Sequence, residues 1–167
     1  MHNRMTRVLV MLIGMVVVAG VVEAAGPLQF YAITPCRLVD TRQAVSASFP
    51  SGYGQPALVN SGHPSVGPFR SITVSEARCG IPVSARAIVA NFTVTGTQAS
   101  GFIKAWATGD AVPNVANLNF GLGETVGNGS VVPLDVQTRM DVAAFGLGLA
   151  QGATATHVII DITGYFQ

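Results

Sequence analysis

Ile88-Val89-Ala90-Asn91-Phe92-Thr93-Val94-Thr95 decides the fold, because Ile88, Ala90, Phe92 and Val94 alternate with Val89, Asn91, Thr93 and Thr95. A period of two places each set on its own face of an extended strand, whereas a helix repeats its apolar positions every three to four residues. Val158, Ile160 and Ile162 alternate in the same way with Ile159, Asp161 and Thr163. Outward from these two segments, shorter strands are expected at 30–34, 37–40, 71–75, 101–108, 115–120, 130–135 and 141–146, each set off by Gly, Pro, Asn or Ser. Asn128-Gly129, between Val126 and Val131, predicts a tight hairpin, since both central positions of such a turn need positive φ. Many short strands at this spacing predict an all-β chain, an antiparallel β-sandwich or jelly-roll-like fold, with a barrel as the related alternative.

Segment 43–69 breaks the rhythm, with Ser, Gly and Pro crowded around Phe49, Tyr53 and His63. A structureless loop of that length is unusual inside a compact domain. The segment is therefore a functional surface loop, an irregular edge, or the host of a short strand near 57–60.

Charge narrows the function. Nine Lys and Arg face eight Asp and Glu, and the only lysine is Lys104. A content of 10% charged residues leaves too few for the polar outer faces of a helical bundle, and the apolar 49% excludes charge-driven disorder. A net charge of +1 without a basic cluster excludes a partner held by its phosphates, so no nucleic acid is expected.

His2, Arg4 and Arg7 precede an apolar run at 8–22, followed by Val22-Glu23-Ala24. The run falls short of the ~20 residues a bilayer span needs, and the small residues fit a cleavage site after Ala24. Residues 1–24 are read as a secretory signal peptide, with a retained anchor as the alternative, and 25–167 as a single β-sandwich domain without a membrane span. The expected location is secreted or on the extracellular surface. In an oxidising compartment Cys36 and Cys79 are expected to pair, because no CxxC or histidine spacing suggests a metal site.

Several motifs follow one another in order. They are Pro35-Cys36-Arg37-Leu38-Val39-Asp40-Thr41-Arg42, Cys79-Gly80-Ile81-Pro82 with Ala85 and Ala87, Asn91-Phe92-Thr93-Val94-Thr95 and Gly101-Phe102-Ile103. Pro113 with Asn117-Leu118-Asn119-Phe120, and then Asp161-Ile162-Thr163-Gly164-Tyr165-Phe166, complete the series. Together they resemble an exported bacterial β-domain family with a PCR-x-x-DTR start and a D-x-x-GYF end. Its members resemble accessory modules of secreted enzymes and surface proteins, with no established activity of their own. The resemblance implies an extracellular β-sandwich.

Catalysis finds little footing. No G-x-S-x-G is present, the histidines after the leader are His63 and His157, and the carboxylates Asp40, Glu76, Asp110, Glu124, Asp135, Asp141 and Asp161 are scattered. No metal or cofactor motif is present, so none is expected. His157 opens an apolar strand and reads as structural. Asp40 and Arg42 share a strand face and, with Asp161, are expected to form a structural polar cluster. Asn91-Phe92-Thr93 and Asn128-Gly129-Ser130 match a glycosylation pattern, the first by chance because it lies within a strand.

A ligand site is expected at 101–106. Ile103 and Ala105 share the core face there, which leaves Phe102, Lys104 and Trp106 as an outward aromatic and cationic stripe over which Tyr53 could close. Burial of that stripe beneath the long loop is the competing reading. The chain is thus read as a non-catalytic recognition or adhesion module for polysaccharide or another envelope polymer. A self-associating structural subunit is the alternative, because so few charges defend its sheet edges, and a secreted hydrolase ranks last.

Overall fold

The computed structural model describes residues 26–59, 69–75, 79–146 and 155–167. The expected signal peptide at 1–24, His63 and Glu76 lie outside the described residues. Among the described residues nine strands follow in order: β1 (Phe30–Asp40), β2 (Leu58–Val59), β3 (Arg70–Thr73), β4 (Ala87–Thr95), β5 (Gly101–Ala107), β6 (Leu118–Phe120), β7 (Val126–Pro133), β8 (Arg139–Gly146) and β9 (Ala155–Phe166). They form two sheets, β1-β9-β4-β7 with β2 also paired to β9, and β3-β8-β5-β6, and every pairing is antiparallel. The fold is an all-β sandwich. No helix among the described residues is long and apolar enough to cross a membrane.

Alternation in β4 and β9 builds the inner layer. Ile88, Ala90, Phe92 and Val94 of β4 join Val158, Ile160 and Ile162 of β9 in the core, opposite Ile103, Met140 and Val142 from the second sheet. Removing each of the larger side chains from water contributes roughly 1.5 to 3 kcal/mol, so this layer dominates stability. Two expected strands at 30–34 and 37–40 are one element, because β1 stays paired to β9 across two register shifts, between Ala32 and Cys36 and between Arg37 and Val39. The short strand expected near 57–60 exists as β2, with Leu58 opposite Thr156.

Asn128-Gly129 is not a hairpin turn, which corrects the sequence expectation. Both residues lie within β7, opposite Phe92 and Asn91 of β4, and Gly129 is absent from the residues with positive φ. The long alternating strand β4 binds eight consecutive partners there without a register shift, and that ladder overrides the local turn preference. The chain reverses earlier instead, around Gly123 at φ 74. At the start of β5, a side chain on Gly101 would collide with the carbonyl of Phe145, so the close approach of β5 to β8 requires glycine.

Cys36 and Cys79 form a disulfide with Cα atoms 5.6 Å apart. It ties β1 to the segment that leads into β4 across a sequence separation of 43 residues. Closing a loop of that length constrains the unfolded chain by ~3 to 4 kcal/mol. Denatured, unreduced protein is expected to yield no thiol to alkylation. A Cys36→Ser, Cys79→Ser variant should fold with a clearly lower Tm, and an unchanged Tm would show that the crosslink adds no stability.

Candidate functional site

The second sheet is apolar on both faces. Ile103, Ala105, Met140, Val142 and Ala144 face the main core, while Trp106, Ala143 and Phe145 form a separate buried cluster on the outer side, with Phe102 and Val112 against it. The sequence reading placed Phe102, Lys104 and Trp106 on the correct face of β5. The structure takes the competing reading, burial, and corrects the display; among the described residues the cover is the segment after β5, which folds back as a roof, and not the long loop. Trp106 is only 5% exposed, and Val112 packs against its cluster. Lys104 is likewise 5% exposed, its Nζ donating to the carbonyl of Pro113 at 2.6 Å and lying 5.5 and 5.4 Å from the rings of Phe102 and Phe145. Phe102 and Phe145 stack with centroids 5.3 Å apart, so ring surface meant for a ligand is spent on protein packing.

Tyr53 does not close over the stripe either. Its hydroxyl donates to the carbonyl of Thr73, and its ring packs on the main core. The irregular segment around it is held by the strand ends: Asp40 N donates to Tyr53 O at 2.9 Å, and Arg70 donates to the carbonyls of Gly54 and Pro56. Burial of Arg70 lowers its pKa from the usual arginine value.

A groove of about 460 Å³ opens beside the roof, lined by Phe69, Trp106, Gly109, Asp110, Ala111, Val112 and Asp141. Strand register makes it. Asp141 of β8 sits directly opposite Trp106 of β5 on one side and Ser71 of β3 on the other, so three outward side chains form a row across the sheet. The Phe69 ring, 53% exposed, meets Trp106 edge-on with centroids 5.9 Å apart. Asp141 is 3% exposed, and its Oδ1 accepts hydrogen bonds from Ser71 Oγ at 2.6 Å and Thr108 Oγ1 at 2.8 Å. Its Oδ2 accepts none from the described residues. Since no fully buried side-chain nitrogen or oxygen among these residues lacks a partner, Oδ2 is the atom of Asp141 left open to the groove.

Of the residues the sequence singled out for a ligand, the groove takes Trp106 alone. It adds Phe69, Asp110, Val112 and Asp141, with Ser71 and Thr108 behind the carboxylate. The signal that could have found Asp141 is a lone acid inside an apolar strand, Met140-Asp141-Val142-Ala143-Ala144-Phe145. Its partners across the sheet leave no such local trace.

Asp40, Arg42 and Asp161 lie in one polar cluster, with Arg37 as the residue that links them. Arg42 grips Asp40 with two side-chain bonds, Nε to Oδ1 at 2.8 Å and Nη2 to Oδ2 at 2.7 Å. Asp161 is not joined to that pair directly. It is held by Arg37, through Nε at 2.8 Å and Nη2 at 3.0 Å, because the register sets Arg37 opposite Asp161. Arg37 Nη1 also reaches Asp40 at 3.3 Å and so links the two pairs. His157 Nδ1 lies 3.0 Å from the carbonyl of Thr41, to which it can only donate, and Thr41 Oγ1 accepts from Val158 N at 2.9 Å. These bonds fasten the end of β1 to β9. No protein-family model matches the chain, and no curated protein matches it.

Side-chain hydrogen bonds from Arg42 hold the Asp40 carboxyl below the usual carboxylate range, against the opposing effect of desolvation, with help from the Arg42 amide and the charges of Arg42 and Arg37. A folded value below the unfolded ~3.9 means that stability is fully present above that pH and is lost as pH falls through the folded value. Asp40→Asn should cost about 1 to 3 kcal/mol at neutral pH in urea unfolding, with the gap to wild type narrowing on acidification towards pH ~3. A gap independent of pH would exclude the ion pair as its cause.

Trp106 is the only tryptophan, so fluorescence reads its surroundings directly. Emission should be blue-shifted and resistant to iodide. Trp106→Ala should destabilise the domain by roughly 3 to 5 kcal/mol, and a red-shifted, freely quenched ring would contradict the roof over β5.

Proposed function

We propose that the chain is a non-catalytic recognition module of the cell exterior, and that it binds polysaccharide in the groove beside Trp106. The groove carries this reading. It combines a half-exposed aromatic ring, a second ring at its wall and a positioned carboxylate oxygen within about 460 Å³. That volume falls in the ~300–1,000 Å³ range of small-ligand sites, and a mostly apolar lining with few convergent polar groups is the usual composition of such sites. An aromatic ring can lie on the apolar face of a pyranose while a carboxylate accepts its hydroxyls. Export is supported by the N-terminal leader pattern and by the disulfide, a bond that persists in oxidising compartments. The ordered motifs that resemble exported bacterial β-domains point the same way.

Self-association is the second reading, favoured by β7. This edge strand pairs on one side with β4, runs eight residues, GNGS at its centre, and bears no charge to discourage a further strand. Localisation of the domain to cell surfaces through either mode would serve adhesion.

Phe69 separates the readings, because its ring is exposed and its removal leaves the core intact. A panel of envelope and environmental glycans is expected to include one that shifts Trp106 fluorescence saturably. Phe69→Ala should weaken that glycan by about two- to ten-fold with an unchanged Tm, in the range of a lost stacking contact. Failure of every glycan, together with a concentration-dependent polymer in sizing chromatography, would replace recognition with assembly.

A further inference from the structure

We infer that the groove selects a saccharide bearing free amino groups, an amino-sugar polymer rather than a neutral or acidic one. This rests on the polysaccharide reading above and deepens it. The starting observation is an electrostatic imbalance. Among the described residues, Asp40, Asp135 and Asp161 each have an arginine partner, whereas Asp141 has none although it is 3% exposed. A carboxylate so far out of water is ordinarily paired with a cation, because its desolvation is otherwise uncompensated. Two hydroxyl donors, from Ser71 and Thr108, satisfy Oδ1 and fix the plane of the group. The side that faces the groove stays open.

No lysine or arginine among the described residues stands ready to supply the cation. Lys104, on the same face of β5, is turned to the carbonyl of Pro113; Arg139 is paired with Asp135; Arg70 is committed to the carbonyls of Gly54 and Pro56. Asp110, the other ionisable residue in the lining, is also acidic and has no arginine or lysine partner. Among the described residues the groove therefore offers two carboxylates and no base, a field that disfavours uronates and phosphates.

The walls identify the kind of cation. Phe69 presents an exposed aromatic ring beside the carboxylates, with the buried Trp106 as the wall behind it, and a ring favours an organic ammonium through its negative face. A metal ion needs several oxygen ligands, and no group of three His, Cys, Asp or Glu side chains assembles among the described residues. A protonated amine on a pyranose ring meets both demands at once: Asp141 Oδ2 accepts from the ammonium, and Phe69 covers the apolar face of the sugar.

Titration of Trp106 fluorescence and calorimetry with a fully deacetylated glucosamine hexamer, its fully N-acetylated counterpart and a neutral glucose hexamer test the inference. The deacetylated oligomer should bind at least about ten-fold more tightly than either, the scale of one charge-assisted contact. Asp141→Asn keeps an oxygen for Ser71 and Thr108 and should abolish this preference at unchanged Tm. Asp110→Asn, on an exposed residue, should reduce it in part and serves as the second variant should Asp141→Asn fold poorly. Net charge cannot mimic the effect, because the chain carries +1. Equal binding of all three hexamers, lost in Phe69→Ala, would overturn the amine assignment while leaving the polysaccharide site standing. Preference for the amine that survives in both aspartate variants would overturn it as well, and binding of no saccharide in the glycan panel would remove the site itself.

Discussion

The antiparallel ladder between β4 and β9 is the constraint on which the other contacts depend. β9 is the longest strand, and besides β4 it receives β1 and β2. Its inward residues Val158, Ile160 and Ile162 fill the same layer as Ile88, Phe92 and Val94. A one-residue slip would turn every one of these side chains outward, so burial pins the register. Once β9 is set, Arg37 falls opposite Asp161, Asp40 lands near the turn where Arg42 can grip it, and Thr41 meets His157. The polar end of the sandwich follows from its apolar middle.

The second sheet shows what happens when a sheet is apolar on both faces. β8 is buried along six consecutive residues, from Met140 to Phe145, and an exposed outer face of that kind would be an aggregation surface. The segment after β5 covers it, with Val112 and the Pro113 carbonyl as its points of attachment. Coverage is partial. Where the roof stops, Trp106 and Phe69 become the wall of a groove, and Asp141, which belongs to the same face, is left at its base. The candidate site is the margin of a packing solution, which accounts for its mixture of aromatic surface and a well-anchored carboxylate.

Scarcity of charge gives the few charged groups defined work. Arg37, Arg42 and Arg139 hold carboxylates, Arg70 and Arg86 hold backbone carbonyls, and Lys104 holds the roof. Side chains of Arg37 and Arg42 remain about two-fifths exposed, at 41% and 43%, while Asp40 is almost wholly buried. The arginines thus keep part of their hydration while compensating the acid, which limits the desolvation cost of the pair. Asp141 has no comparable partner, and this asymmetry singles it out from the other buried acid.

Periodicity determined that the chain is built of strands and which residues of β4, β5 and β9 face inward, and composition supplied the two cysteines available to pair. Those properties are local and survive without knowledge of any neighbour. The alternation of Ile103 and Ala105 with Phe102, Lys104 and Trp106 was legible for the same reason. Tertiary structure decided the rest: that the outer face of β5 lies under a roof, that Asn128-Gly129 continues a strand instead of turning, that Arg37 joins Asp161 to the Asp40–Arg42 pair, and that Ser71, Asp141 and Trp106 form one row. Each of these depends on register between strands distant in the chain. Register is chosen by burial summed over whole sheets, so no short stretch of sequence contains it.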